Sequence, residues 1–179
     1  MMNPIINDLN ARASFDWPDE QKAYFVQIAA DAKPVDCVRM RDALTPEQMK
    51  WVRLMGYHTH QKRCYRNASD LVRILGKAAD EWEMDIKYVE GFAFSCGLLS
   101  IEHAFVKIGD KYIDPTFERA LKLDVRCEHY VSCLELDEQT LNRYQFETGY
   151  YGELYRYDYA LRHRPELAAR IRQINPHNR

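Results

Sequence analysis

Apolar residues recur at helical spacing from Cys64 to Gly76. Cys64, Ala68, Leu71, Val72 and Leu75 fall at i, i+4, i+7, i+8 and i+11, which is one face of a helix, and Gly76 offers a stop. Downstream the period changes. Met84 to Phe94 reads as a strand, with Ile86, Tyr88, Phe92 and Phe94 on one side and Val89 and Ala93 on the other. Apolar character on both faces predicts a central strand. Ile101 to Thr116 reads as a β-hairpin: two apolar-rich runs flank Gly109-Asp110, and Gly at the first loop position suits a two-residue type II′ turn. Cys96-Gly97 reads as the turn before this hairpin, and Val131 to Leu136 as a further strand.

Helical signals lie on both sides of these strands. Residues 1–17 read as a mixed lead-in. A helix opens at Trp17-Pro18-Asp19-Glu20, shows Tyr24, Phe25, Ile28 and Ala29 on one face, and closes at Pro34. Thr45-Pro46-Glu47-Gln48 predicts a capping box followed by a helix that Met49, Val52, Leu54 and Met55 line and Gly56 ends. Lys77 to Glu83 reads as a charged helix end or turn, and Phe117 to Asp124 as a short helix or loop. Asp137 starts a helix running to about Glu147, and Pro165 to Ile174 forms a last one, with a frayed end at 175–179. The expectation is an α+β fold in a single domain over 1–179. Within it, 1–56 is an N-terminal helical part, 57–136 a core carrying the chemistry, and 137–179 a C-terminal helical, tyrosine-rich part.

Composition narrows the classes. The chain has 179 residues, enough for one core, with 46% hydrophobic and 29% charged residues. A net charge of −2 argues against a nucleic-acid partner. There is no apolar run of about 18 residues, so no membrane partner is expected, and no signal-peptide pattern opens the chain. Five irregularly spaced cysteines point to a reducing, cytoplasmic setting.

The hairpin carries the first chemistry. With a two-residue loop, His103, Phe105, Tyr112 and Asp114 project to one side, and His103 and Asp114 become diagonal neighbours about 7–8 Å apart at the backbone. Their side chains can then meet, with His103 Nδ1 expected against an Asp114 oxygen. Pro115 holds Asp114 extended and ends the strand. Cys64, at the start of the helix and near Lys62, Arg63 and Arg66, stands where a thiolate is favoured.

A Cys at a helix start, then His103-Ala104-Phe105-Val106 on a strand, then a turn and Asp114-Pro115-Thr116, resembles the transglutaminase-like branch of the papain-like cysteine enzymes. The resemblance covers roughly residues 57–117, and its most specific part is the His strand joined to Asp-Pro-Thr. Gln61-Lys62-Arg63 replaces the small residues often found before the family's Cys, and Phe105 stands where an aromatic such as Trp is more usual. The resemblance implies a papain-like core with the helix of Cys64 packed on an antiparallel sheet. It implies Cys64 as nucleophile, His103 as base and Asp114 as its orienter, with no cofactor and a protein or peptide-like substrate. The expected chemistry is acyl transfer on an amide or ester, to water or to an amine.

Other readings stand beside it. Cys64 reads equally as a buried thiol, His103 as a satisfied core histidine and Asp114 as a strand end; it is their joint order that favours a triad. Gln61 is a candidate oxyanion donor or a solvated loop residue. His58 and His60, with Cys64 and His103, are candidate zinc ligands, although an ordinary polar loop is the preferred reading and no metal is expected. Six of the 12 tyrosines, at 144, 150, 151, 155, 157 and 159, form either a binding rim for a non-catalytic interaction module or packing over the core. Cys37, Cys96 and Cys127 carry no partner signal, and Cys133 reads as strand core.

Overall fold

The computed structural model describes residues 3–94 and 100–174. The Cys96-Gly97 turn and the chain end at 175–179 lie outside the described residues. The chain begins with α1 (Pro4–Ser14) and α2 (Asp19–Asp31), continues through β1 (Lys33–Val35), β2 (Cys37–Val38), α3 (Met40–Ala43) and α4 (Pro46–Leu54), and reaches α5 (Cys64–Gly76). Then come β3 (Ile86–Phe94), β4 (Ile101–Ile108), β5 (Lys111–Ile113), a π-helical turn at Thr116–Ala120, a 3₁₀ turn at Val125–Cys127 and β6 (His129–Leu136). Three helices finish it: α6 (Glu138–Thr148), α7 (Leu154–His163) and α8 (Pro165–Ile174). The fold is α+β with a mostly antiparallel sheet.

Several segments, among them α3 and α7, depart from the reading of the sequence. The lead-in is a helix: the Asn3 side chain accepts from the Ile5 N–H at 2.9 Å, Pro4 occupies the first turn, and Ile5 and Leu9 are buried. Lys33–Val35 and Cys37–Val38, where the sequence pattern indicates only a helix end at Pro34, form two short strands. Elsewhere the local chemistry holds. The Thr45–Gln48 capping box is present in both directions, though Leu54 is turned out to solvent at 72% exposure. Asp137 caps α6 through the Thr140 N–H at 2.7 Å.

The strand order is β1-β6-β3-β4-β5-β2. All neighbours are antiparallel except β2 and β5. Only Asp36 separates β1 from β2, yet these lie on opposite edges. Two Cα steps of 3.80 Å span about 7.6 Å at most, so the sheet must curl until its edges nearly meet. The side chains agree: Val35, Cys37, Val89 with Ala93, Phe105, Tyr112 and Tyr130, one set from each strand, pack in one inner cluster with Phe117 and Val125.

The outer face of the sheet carries the larger core. Ala68, Leu71, Val72 and Leu75 of α5 pack with Tyr88, Ala104 and Val106 of β3 and β4. β3 is therefore buried on both faces, as its apolar pattern predicts. The hairpin register pairs Ile108 with Lys111 and Val106 with Ile113, and Gly109 takes φ +59°, as the two-residue loop requires. At Gly91 the β3–β6 register slips by a bulge, and an added Cβ would lie 1.8 Å from the Val131 carbonyl oxygen. Glycine is the side chain that this close approach allows.

Leu71→Ala, at a fully buried position, is expected to destabilise the protein by about 2–5 kcal/mol. Leu54→Ala should stay within about 0.5 kcal/mol of wild type. Urea denaturation of the two variants checks the assignment of the helix faces.

Candidate functional site

Cys64 is the first residue of α5 and is half-buried. No side chain caps this helix, and Lys62 just before it takes φ +60°, an uncommon conformation for a residue other than glycine. The first-turn N–H groups are thus left for other acceptors. The Tyr65 and Ala104 backbone N–H groups lie close enough to the Cys64 sulfur to favour its thiolate. A nucleophile at this position is held by its own helix and by the strand that carries His103.

His103 is 2% exposed and Asp114 fully buried. His103 Nε2 meets Asp114 Oδ2 at 2.7 Å, and the imidazole is close enough to Cys64 for each to shift the other's titration. With Nε2 committed to Asp114, Nδ1 is the nitrogen left for the thiol. The expected roles of the two ring nitrogens are therefore reversed. The reason is reach: the distal nitrogen crosses the diagonal gap between strands, and the proximal one stays by its own backbone, beside Ala104 and Cys64.

Asp114 accepts four hydrogen bonds. Oδ1 takes the Thr116 and Phe117 N–H groups at 2.9 and 3.0 Å. Oδ2 takes His103 and the Tyr130 hydroxyl, the latter at 3.0 Å. The Phe117 ring lies 4.5 Å from the imidazole, centroid to centroid. Asn67, buried on α5, joins the pieces. Its Nδ2 donates to the His60 carbonyl at 2.8 Å and to Thr116 Oγ1 at 2.9 Å, and its Oδ1 accepts the His60 N–H at 3.0 Å. One side chain thereby ties the loop before Cys64 to the turn after Asp114.

The electrostatics follow from these contacts. Burial alone would push the Cys64 thiol up. The hydrogen bond and charge of His103, with the two backbone N–H groups, outweigh it and hold the thiol below its ordinary value. Burial alone would likewise depress His103. The Asp114 carboxylate, then Cys64, raise it to about 10. The two shifts favour the thiolate–imidazolium pair over the neutral one. By contrast, burial raises Cys37 strongly and raises Cys133 to about 12.

Among the other candidates, Gln61 is exposed, and its amide Nε2 stands 3.5 Å from the Ala120 carbonyl on the rim of the same site. Among the described residues, no group of three His, Cys, Asp or Glu side chains is placed to hold a metal, so His58, His60 and Cys64 do not converge on one. Of the six clustered tyrosines, 144, 155, 157 and 159 are buried, while Tyr150 and Tyr151 are exposed at 53% and 45%. Among the described residues, no helix is long and apolar enough to cross a membrane.

Reading the sequence missed Tyr130, Asn67 and the backbone donors of residues 116 and 117. Asp-Pro-Thr is an Asx-turn signal that anticipates the Thr116 contact. Tyr130 has no such local signal, because the β3–β6 register alone places it. No protein-family model matches this chain, and neither does any curated protein or solved structure compared with it.

The sign of the His103 shift sets a test. Its folded pKa lies above the ordinary 6.5, so the stability it contributes is complete below about 6.5 and fades as pH rises through about 10. Asp114→Asn removes the largest raising influence and leaves burial opposing the charge. The His103 ring, followed by histidine NMR, should then titrate at lower pH than in wild type.

Proposed function

We propose that this protein is a thiol-dependent acyl-transfer enzyme acting on an amide or ester bond, with a transglutaminase-like, papain-like core. The observation that carries the reading is the imidazole of His103, bonded by Nε2 to Asp114 at 2.7 Å and close to the thiol that opens α5. Cys64 attacks the carbonyl carbon as thiolate, and the carbonyl electrons move onto oxygen. His103, as imidazolium, gives its proton to the leaving amine or alcohol as the tetrahedral adduct collapses to a thioester. Water or an amine then attacks the thioester, returning its proton to His103 and releasing Cys64. Asp114 keeps the imidazole oriented and supports its charge. A scaffold that keeps such a fold without catalysis is the rival reading, and it requires no reactive thiol.

Iodoacetamide at pH 6 should label Cys64 well ahead of Cys37 and Cys133, identified by peptide mapping. His103→Ala should remove that lead. Equal labelling in the wild type, unchanged by His103→Ala, would sink the proposal. Cys64→Ala should unfold at nearly the wild-type temperature and lose all turnover of any substrate the wild type processes.

A further inference from the structure

Beside the candidate triad, and outside it, lies a cavity of about 600 Å³. Tyr65 lines it and follows Cys64 in the chain; Glu102 lines it and precedes His103; Gly91 lines it and is His103's ladder partner on β3. Cys64 itself does not line the cavity, which is reached from its chain neighbour Tyr65 on α5 and from Glu102 beside His103 on β4. Its wall is aromatic, with Tyr24, Phe25, Phe92 and Tyr159. Among the described lining residues, four glutamates, 20, 90, 102 and 153, face one arginine, Arg156.

The carboxylates fall into two groups. Glu90 is buried at the floor, accepting from the Tyr88 hydroxyl at 2.7 Å and the Tyr155 N–H at 2.9 Å. Burial raises it to about 7, so it is internally satisfied and only partly charged. Glu20, Glu102 and Glu153 are exposed at the mouth. Desolvation and then the neighbouring charge of Glu153 raise Glu102, against the pull of Arg12 and Arg156. Arg12 is already paired with Asp8 at 2.9 Å. Glu153, the residue before α7, takes φ +58° and lines the cavity. Glu20 is paired with Arg164 at 3.3 Å, so Glu102 and Glu153, with Arg156 beside them, are the mouth carboxylates a ligand cation would meet, and the aromatic wall suits an aliphatic stem bearing a cation.

We infer that this cavity is a specificity subsite for the lysine or arginine side chain of a peptide substrate whose carbonyl is presented to Cys64. The inference rests on the acyl-transfer reading for the presence of a reactive thiol, and on the cavity alone for the charge preference.

Two active-site reagents differing in one charge test it: acetyl-lysyl chloromethyl ketone and acetyl-norleucyl chloromethyl ketone. In each, the Cys64 sulfur forms a C–S bond as chloride leaves. The lysyl reagent should label Cys64 about fivefold faster, the size of one exposed ion-pair or cation–π contact. That ratio should fall toward one in Glu102→Gln/Glu153→Gln, and in wild type as ionic strength rises. If the double variant does not fold, Glu153→Gln alone and the salt series carry the test. Equal rates for the two reagents in wild type, with iodoacetamide labelling of Cys64 intact, would overturn the subsite and leave the thiol chemistry standing. If Cys64 labels with no reagent, calorimetry decides the subsite independently. Tighter binding of Nα-acetyl-lysinamide than of Nα-acetyl-norleucinamide supports it, and equal or absent binding of both overturns it.

Discussion

A carboxylate sealed inside an apolar cluster is the constraint on which the rest depends. An isolated ion at the Asp114 position would be prohibitive to bury. Four donors surround it instead: two backbone N–H groups of the following turn, one phenol and one imidazole. Each donor fixes a piece of chain. Pro115 and the π-helical turn swing the 116 and 117 amides back onto it. β6 must run beside β3 in one register to deliver Tyr130. The hairpin must have an even loop to bring His103 to the same side. The charge is tolerated because local geometry and sheet topology both supply its partners.

The coupling of α5 to the sheet follows the same logic. The helix arrives at Cys64 with no side-chain cap. An apolar seam of Ala68, Leu71, Val72 and Leu75 holds its outer length against β3 and β4. Asn67 does the finer positioning, since its amide bonds the His60 backbone before Cys64 and the Thr116 hydroxyl after Asp114. Hydrophobic packing thus sets the distance between helix and sheet, and a buried polar contact sets the register of thiol and imidazole.

Much of this was readable because it is local. Hairpin loop length, the period of β3, the capping box at Thr45 and the apolar face of α5 each depend on residues within a few positions of one another. Pairing His103 with Asp114 followed from that loop length. What escaped was non-local or short. Tyr130 reaches Asp114 only through a bulged ladder with β3, and the bulge at Gly91 has no signature of its own. The three-residue and two-residue strands at Lys33–Val35 and Cys37–Val38 are too brief to show a period. Which imidazole nitrogen faces the carboxylate is a matter of ring reach, which strand alternation does not encode.

Those two brief strands govern how the sheet meets other chains. An open sheet of this size would present two rows of unpaired amides and carbonyls, a template for adding a strand from another molecule. Here one run of six residues occupies both rims, and on one of them Pro34 withholds an amide. Recruitment of an extended peptide by strand addition is thereby discouraged, and so is edge-to-edge self-association. The seam at Asp36 also joins rims whose contacts are far apart in sequence, as Pro34 with Val131 and Cys37 with Tyr112 show. Loop-closure entropy makes such contacts late to form. The hairpin bearing His103 carries a small loop-closure cost, and the clasp that encloses its inner face a larger one.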